Sequence, residues 1–158
     1  MASKELFSRI ESEAKEKNQS FVLALLDLDD FKEVNDRCGH LQGDRFLREF
    51  AQAMAVRLRC TDIVARLGGD EFMVLLFGIN REYAVDFLFN LRSELSQKSF
   101  RAAVLSQTFT FGTAAYPDDG RSFEALYTVA DQRYYAGNLR SRLRGSSCFI
   151  GQRDLPDY

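Results

Sequence analysis

Two groups of carboxylates stand out as residues that could do chemistry. Asp27 directly follows the apolar run Phe21–Leu26, and Asp70 and Glu71 follow a pair of glycines. Like charges about 4 Å apart repel by roughly 4 kcal/mol at an effective dielectric near 20, so a cluster of them needs a counter-ion. Oxygen-only ligands favour Mg²⁺, which also binds substrate phosphates. If both segments lie side by side in one sheet, they predict a magnesium site at its edge.

The glycine pair also has a simpler interpretation. Glycine adopts positive φ without steric cost, so Gly68 and Gly69 can reverse the chain between two apolar runs. Asp70 and Glu71 would then be solvated turn residues without a ligand. Residue spacing alone leaves both alternatives open.

The elements that position these carboxylates follow from hydrophobic periodicity. Phe21–Leu26 is apolar at every position, which predicts a central strand covered on both faces. Alternation along that strand puts Asp27 and Asp29 on the same side. The arms of the glycine hairpin are expected at Ile63–Leu67 and Phe72–Phe77.

The remaining segments alternate between helical and strand patterns. Asp44 is expected to cap a helix that carries Phe46 and Phe50 on its apolar face. Other helices are predicted at 5–17, 81–96 and 122–136, and other strands at Phe100–Leu105, Thr108–Tyr116 and Ser147–Ile150. The predicted fold class is α+β, with a central, mostly antiparallel sheet flanked by helices.

Composition excludes several classes of function. The 158 residues suit one domain, with 46% hydrophobic and 28% charged residues as in soluble globular proteins. A net charge of -2 argues against binding nucleic acid or an anionic membrane surface. The three dispersed cysteines predict reduced thiols, and no apolar run is long enough for a transmembrane helix. A cytoplasmic location is therefore expected.

Longer motifs point to one family. The segment "DLDDFKEVNDRCGHLQGD", followed by "RCTDIVARLGGDEF", resembles the GGDEF family of diguanylate cyclases, which condense two GTP molecules into cyclic di-GMP. The resemblance continues through Thr110–Ala114 and "YPDDG" to "ADQRYY". It implies a palm-like nucleotidyl-cyclase fold and a single GGDEF domain over residues 1–158, expected to be a fragment of a larger signalling protein.

The resemblance also implies a metal site. Asp27 and Asp70 would hold two divalent ions per active site, Mg²⁺ or alternatively Mn²⁺, with the carbonyl of Leu28 as a further ligand. Glu71 would act as a ligand or help to activate the attacking hydroxyl. Gly68 and Gly69 would have to stay small because the nucleotide lies against that turn.

A nucleotide site is implied beside the metal site. Asn35 and Asp44 would bind the guanine edge, whose donors suit an amide and a carboxylate. Lys32 and the amides around Phe31 would hold the phosphates, and Arg142 matches a basic residue of the family.

The pair Arg59 and Asp62 resembles the RxxD inhibitory site of the family. A guanidinium can fork onto a phosphate or guanine, and a carboxylate can accept from guanine donors. This pair would bind cyclic di-GMP as a feedback inhibitor.

Three departures from the family keep a second hypothesis open. Asn138 replaces a lysine that the family usually has, although Arg140 lies close enough in sequence to compensate. The segment that usually precedes the first helix of the family is absent. Ser141 and Leu143 replace a glycine-asparagine pair. The leading hypothesis is an active cyclase that works as a homodimer, since each domain presents one GTP. The alternative is a catalytically weak module that binds GTP or cyclic di-GMP as a regulatory input.

Overall fold

A computed structural model describes residues 2–101 and 107–144, with side chains described for residues 5, 7–101 and 107–133. Within these residues the chain forms five helices and four strands. In chain order they are α1 (Ala2–Lys17), β1 (Phe21–Leu28), α2 (Phe31–Cys38), α3 (His40–Ala55), β2 (Ile63–Gly68), β3 (Glu71–Phe77), α4 (Arg81–Ser96), β4 (Phe109–Tyr116) and α5 (Phe123–Arg144).

The four strands form one antiparallel sheet in the order β2-β3-β1-β4. β1 is therefore central, and every residue from Phe21 to Leu26 is buried. One face of the sheet packs on α3 and α4 through side chains such as Phe50 and Leu88. The other face packs on α1 and α5 through Phe7 and Leu126. The predicted α+β class and central strand are confirmed.

Contacts between phenylalanine rings pack α3 against the sheet. Phe50 lies with its ring centroid 5.8 Å from that of Phe72 on β3 and 6.1 Å from that of Phe109 on β4. Phe46, one turn earlier, contacts the buried Phe100 at 4.9 Å. Because aromatic pairs at this spacing contribute favourable packing, these contacts hold the middle of α3 over β3 and β4.

The prediction that Asp44 caps a helix is wrong. α3 begins at His40 with Gly39 as its N-cap, so Asp44 lies inside the helix. Gly39 has φ 83 and also ends α2, which allows two helices to meet at a single residue. The segment between β1 and α3 is largely the helix α2, which the sequence analysis did not predict.

Other boundaries shift at the ends of elements. β1 continues to Leu28 and α5 to Arg144, beyond the predicted ends. Phe100 lies outside any strand, whereas residues 102–105 of the strand predicted from it fall outside the described residues. The strand predicted at 147–150 also lies outside them.

A charged cluster fastens the turn after β4 to two helices. Asp119 accepts from Arg81 Nη1 on α4 at 3.0 Å, and from Arg133 Nη1 and Nη2 on α5 at 3.0 Å each. It also accepts from the Ala115 amide at 2.7 Å. Burial opposes the ionised form, but the bonds from Arg133 and Ala115 hold the pKa of Asp119 below its ordinary value.

We expect Asp119→Asn to lower the free energy of unfolding by about 1–3 kcal/mol at pH 7, because two half-buried guanidinium groups lose their counter-charge. Because the pKa of Asp119 is lower in the folded protein, its ionised carboxylate stabilises the fold at pH values above the unfolded pKa of 3.8. This contribution to stability is lost as the pH falls through the folded pKa. The difference from wild type should therefore shrink in acid. Thermal melts from pH 3 to 7 test this, with the exposed neighbour Asp118→Asn as control. Equal melting of both variants would contradict it.

Candidate active site

The register of the central strand brings the two carboxylate groups together. Asp27 at the end of β1 pairs with Glu71 at the start of β3. The Leu28 amide donates to the Asp70 carbonyl at 3.3 Å. The expected convergence of Asp27 with Asp70 and Glu71 at one edge of the sheet is present.

The turn between β2 and β3 is tight and open on its outer side. Gly69 has φ 53, in the left-handed region that favours glycine. Arg66 Nε donates to the Gly69 carbonyl at 2.9 Å, which closes the turn. A Cβ on Gly68 or Gly69 would meet no atom of the other described residues within 4 Å. The turn thus presents bare backbone, as close approach by a ligand would require, and the nucleotide contact itself stays a prediction.

Asp27 carries an unfavourable charge. Burial and then the neighbouring charge of Asp70 raise the pKa of Asp27 to about 7. Its Oδ1 is buried and has no hydrogen-bond partner among the described residues. Burial and the charges of Asp70 and Asp131 likewise raise the pKa of Glu71. A bound cation would relieve both effects.

The donor set suits a hard divalent ion. Mg²⁺ needs only one or two carboxylates, and completes its octahedron with water and phosphate oxygens. Asp27 and Asp70, with the Leu28 carbonyl, would offer such oxygen ligands, and a buried Asp27 oxygen without a hydrogen-bond partner among the described residues is compatible with that role. No group of three His, Cys, Asp or Glu side chains suited to a metal occurs in the described part of the chain.

Asp29 has a different role from Asp27, although it lies only two residues away. Thr108 Oγ1 donates to Asp29 Oδ2 at 2.6 Å and Thr110 Oγ1 donates to Oδ1 at 2.7 Å. The Asp29 amide donates to the Thr108 carbonyl at 2.9 Å, and the buried Gln107 side chain donates to the Asp29 carbonyl. These bonds hold the segment that follows β1 against β4. Sequence reasoning did not find this anchor.

The segment after β1 places the predicted phosphate and base residues. Asp30 has φ 54, and α2 starts at the next residue, Phe31, whose ring is buried. Lys32 is exposed, so its ammonium is available to a phosphate. Asn35 is half-buried against Gly43 on α3, next to the exposed Asp44. The two predicted guanine contacts thus come from adjoining helices.

The predicted inhibitory pair forms a separate site. Arg59 donates through Nε and Nη2 to the two carboxylate oxygens of Asp62, both at 3.0 Å, and through Nη2 to the Phe77 carbonyl. Asp62 also accepts from the Phe77 amide at 3.1 Å. At about 3.4 Å per residue, β3 separates Phe77 from Glu71 by about 20 Å. Only the Arg59 guanidinium is substantially exposed, at 54% against 3% for Asp62.

Two residues near Glu71 escaped sequence reasoning. Tyr127 and Asp131 on α5 line a small cavity together with Glu71. Burial, followed by the charges of Glu71 and Asp131, raises the pKa of Tyr127. Their spacing of four residues puts them on one face of a helix, a signal that was visible in the sequence. Arg142 lies on the same helix, but its side chain, like those of Asn138 and Arg140, is outside the described residues.

Comparison with known proteins decides the family. The model of the family described as "Diguanylate cyclase, GGDEF domain" matches residues 1–144. The chain belongs to the GGDEF family. Its four-stranded antiparallel sheet with flanking helices is the fold of the solved GGDEF domains that it matches.

Individual relatives agree with this assignment. The diguanylate cyclase DgcP of Pseudomonas aeruginosa is 35% identical over 144 residues, which are 88% of this chain and 21% of that protein. The solved GGDEF domain of TpbB from P. aeruginosa has 31% identity and a TM-score of 0.78, covering 92% of this chain and 90% of that one. The GGDEF domain of DgcB from Caulobacter crescentus, solved with c-di-GMP, has 26% identity and a TM-score of 0.73, covering 94% and 87%.

The chain spans only 16% to 38% of the length of such curated relatives. No helix in the described residues is long and apolar enough to cross a bilayer.

We expect Asp27→Asn to stabilise the metal-free protein at pH 8 by about 1 kcal/mol, a modest gain because water screens a half-buried carboxyl. The pKa of Asp27 is raised from 3.8 to about 7 in the folded protein. The contribution of this carboxyl to the free energy of unfolding is therefore fully present below pH 3.8 and is lost as the pH rises through about 7. The neutral amide escapes this loss. In thermal melts in EDTA from pH 4 to 8, the difference in melting temperature between Asp27→Asn and the wild type should increase with pH. A loss of stability at pH 8 would contradict the assignment, and the exposed Asp36→Asn is the control.

Proposed function

We propose that this chain is the catalytic domain of a diguanylate cyclase, which joins two GTP molecules into cyclic di-GMP and releases pyrophosphate. The observation that carries the proposal is the β1–β3 register, which sets Asp27 opposite Glu71 beside an open glycine turn. An unpaired carboxylate oxygen at that place suits a metal-bound triphosphate. The proposal treats residues 1–158 as one GGDEF domain of a larger cytoplasmic signalling protein.

The metal ligands in this proposal are those that the resemblance to the family implies. Asp27, Asp70 and the Leu28 carbonyl would hold two divalent ions, Mg²⁺ or Mn²⁺. Such ions, when bound, stabilise the entering and leaving oxygens of an in-line displacement at phosphorus. Glu71, whose pKa is raised, is suited to take a proton from the attacking 3′-hydroxyl.

The nucleotide would lie across the start of α2 and α3. Lys32 and the amides around Phe31 bind the β- and γ-phosphates, with Arg142 as a further cation. Asn35 and Asp44 bind the guanine edge, to which an amide offers donor and acceptor and a carboxylate offers acceptors only. Adenine lacks the matching donors, so GTP is preferred over ATP.

The reaction needs two copies of the domain. Each domain presents one GTP, and the bonds form between two facing domains in a homodimer. The rate is then second order in protein at low concentration.

A second candidate is a module that binds GTP or cyclic di-GMP without turnover. It is favoured by Asn138, which stands where the family usually has a lysine. The loss of one phosphate cation weakens stabilisation of the transition state more than binding of the substrate.

Incubation with GTP and Mg²⁺, followed by separation of the nucleotides, distinguishes the two candidates. We expect pyrophosphate and cyclic di-GMP, their loss in EDTA, and a fall of at least about 100-fold in Asp70→Asn, since removal of a charged group at the reacting phosphates costs roughly 3 kcal/mol. Glu82→Gln, on the exposed side of α4, is the matched control. Bound but unaltered GTP would favour the second candidate.

Product binding provides a separate test of the Arg59 and Asp62 pair. Arg59→Ala should weaken cyclic di-GMP binding at least about tenfold, because a charge-assisted bond to the ligand is worth 1.5–3 kcal/mol. GTP binding, about 20 Å away along β3, should not change. Calorimetry with each nucleotide measures both, and Arg57→Ala, also an exposed arginine paired with a carboxylate, is the control. Undiminished product binding would place the inhibitory site elsewhere.

A further inference from the structure

Gly43 on α3 lies directly against the Asn35 side chain on α2. A Cβ built on Gly43 would lie 2.0 Å from Asn35 Oδ1 and 3.1 Å from its Cγ. Gly43 itself is buried. The Asn35 amide therefore occupies the space that any larger residue at position 43 would need.

The overlap involves only the end of one side chain. The three atoms nearest to the added Cβ all belong to side chains, and the third, Phe31 Cζ, is at an ordinary contact distance of 3.4 Å. A methyl group at position 43 would thus displace the Asn35 amide without forcing the backbone apart.

Hydrogen bonds hold the backbone on both sides of this contact. The Gly39 amide donates to the Asn35 carbonyl at 2.8 Å, and the Gly43 amide donates to the Gly39 carbonyl at 3.0 Å. α3 is also fixed by the packing of Phe46. Because both helices are held by buried side chains, Phe31 on α2 and Phe46 on α3, we expect the side chain of Asn35 to rotate when the space is filled.

We propose that Gly43 is a positioning residue for Asn35 and thereby for the choice of guanine. An asparagine amide presents a donor on one side and an acceptor on the other, so its value in reading a base edge depends on its orientation. Glycine inside a helix is less stable than alanine, and here it leaves the amide the room that it needs. This inference rests on the proposed function, in which Asn35 binds guanine.

The test is Gly43→Ala, with binding of GTP and ATP in Mg²⁺ measured by calorimetry. We expect GTP affinity to fall about tenfold, as for the loss of one base hydrogen bond, with ATP affinity unchanged. The melting temperature should stay the same or rise, since alanine favours the helix. Gln42→Ala, one residue earlier on α3, is the control and should change neither affinity.

A double-mutant cycle separates positioning from a general effect on the fold. In an Asn35→Ala background, Gly43→Ala should cost no further GTP affinity, because no amide remains to be displaced. The double variant should also melt above Asn35→Ala. Additive losses, equal losses for GTP and ATP, or unfolding of Gly43→Ala would each overturn the inference. An unchanged preference for GTP in Gly43→Ala would overturn only the inference about Gly43. Failure of the wild type to bind GTP would also overturn the proposed function.

Discussion

The pairing of β1 with both of its neighbours is the constraint on which the rest of the molecule depends. All eight of its residues pair with β4, and seven pair with β3. Since alternate side chains point to opposite faces and both faces are buried, a slip of one residue would exchange the side chains of the two core layers. The same register sets Asp27 opposite Glu71 and Thr110. Burial of apolar side chains thus decides where the carboxylates lie.

Burial also disfavours the ionised form of a carboxyl group. Asp27, in β1, and Asp29, just after it, differ in the hydrogen bonds that compensate for this. Asp29 accepts hydrogen bonds from the hydroxyl groups of Thr108 and Thr110 and anchors the segment after β1 to β4. Asp27 has a buried oxygen with no hydrogen-bond partner in the described part of the chain, and its pKa is raised. A fold optimised for stability alone would satisfy both. This difference is consistent with the proposed role of Asp27 as a metal ligand.

The hairpin of β2 and β3 carries chemistry at both ends. Its glycine turn lies beside Asp27, whereas its far end holds Arg59 and Asp62 against Phe77. Asp62 closes the hairpin by accepting the Phe77 amide, so this residue has a structural role whatever else it binds. Arg59 is more exposed and is the member of the pair that a ligand can reach.

Local pattern in the sequence determined β1, the glycine hairpin, α4 and the identity of the carboxylates, because strand and helix periods and glycine turns depend on neighbouring residues. The tertiary structure decided the rest. Asp44 looked like a helix cap, yet Gly39 starts α3, since a left-handed glycine lets α2 and α3 meet there. The bond from Thr110 to Asp29 spans 81 residues, and the fit of Gly43 to Asn35 depends on how two helices pack. Such contacts join residues that no periodicity relates, so only the packed chain reveals them.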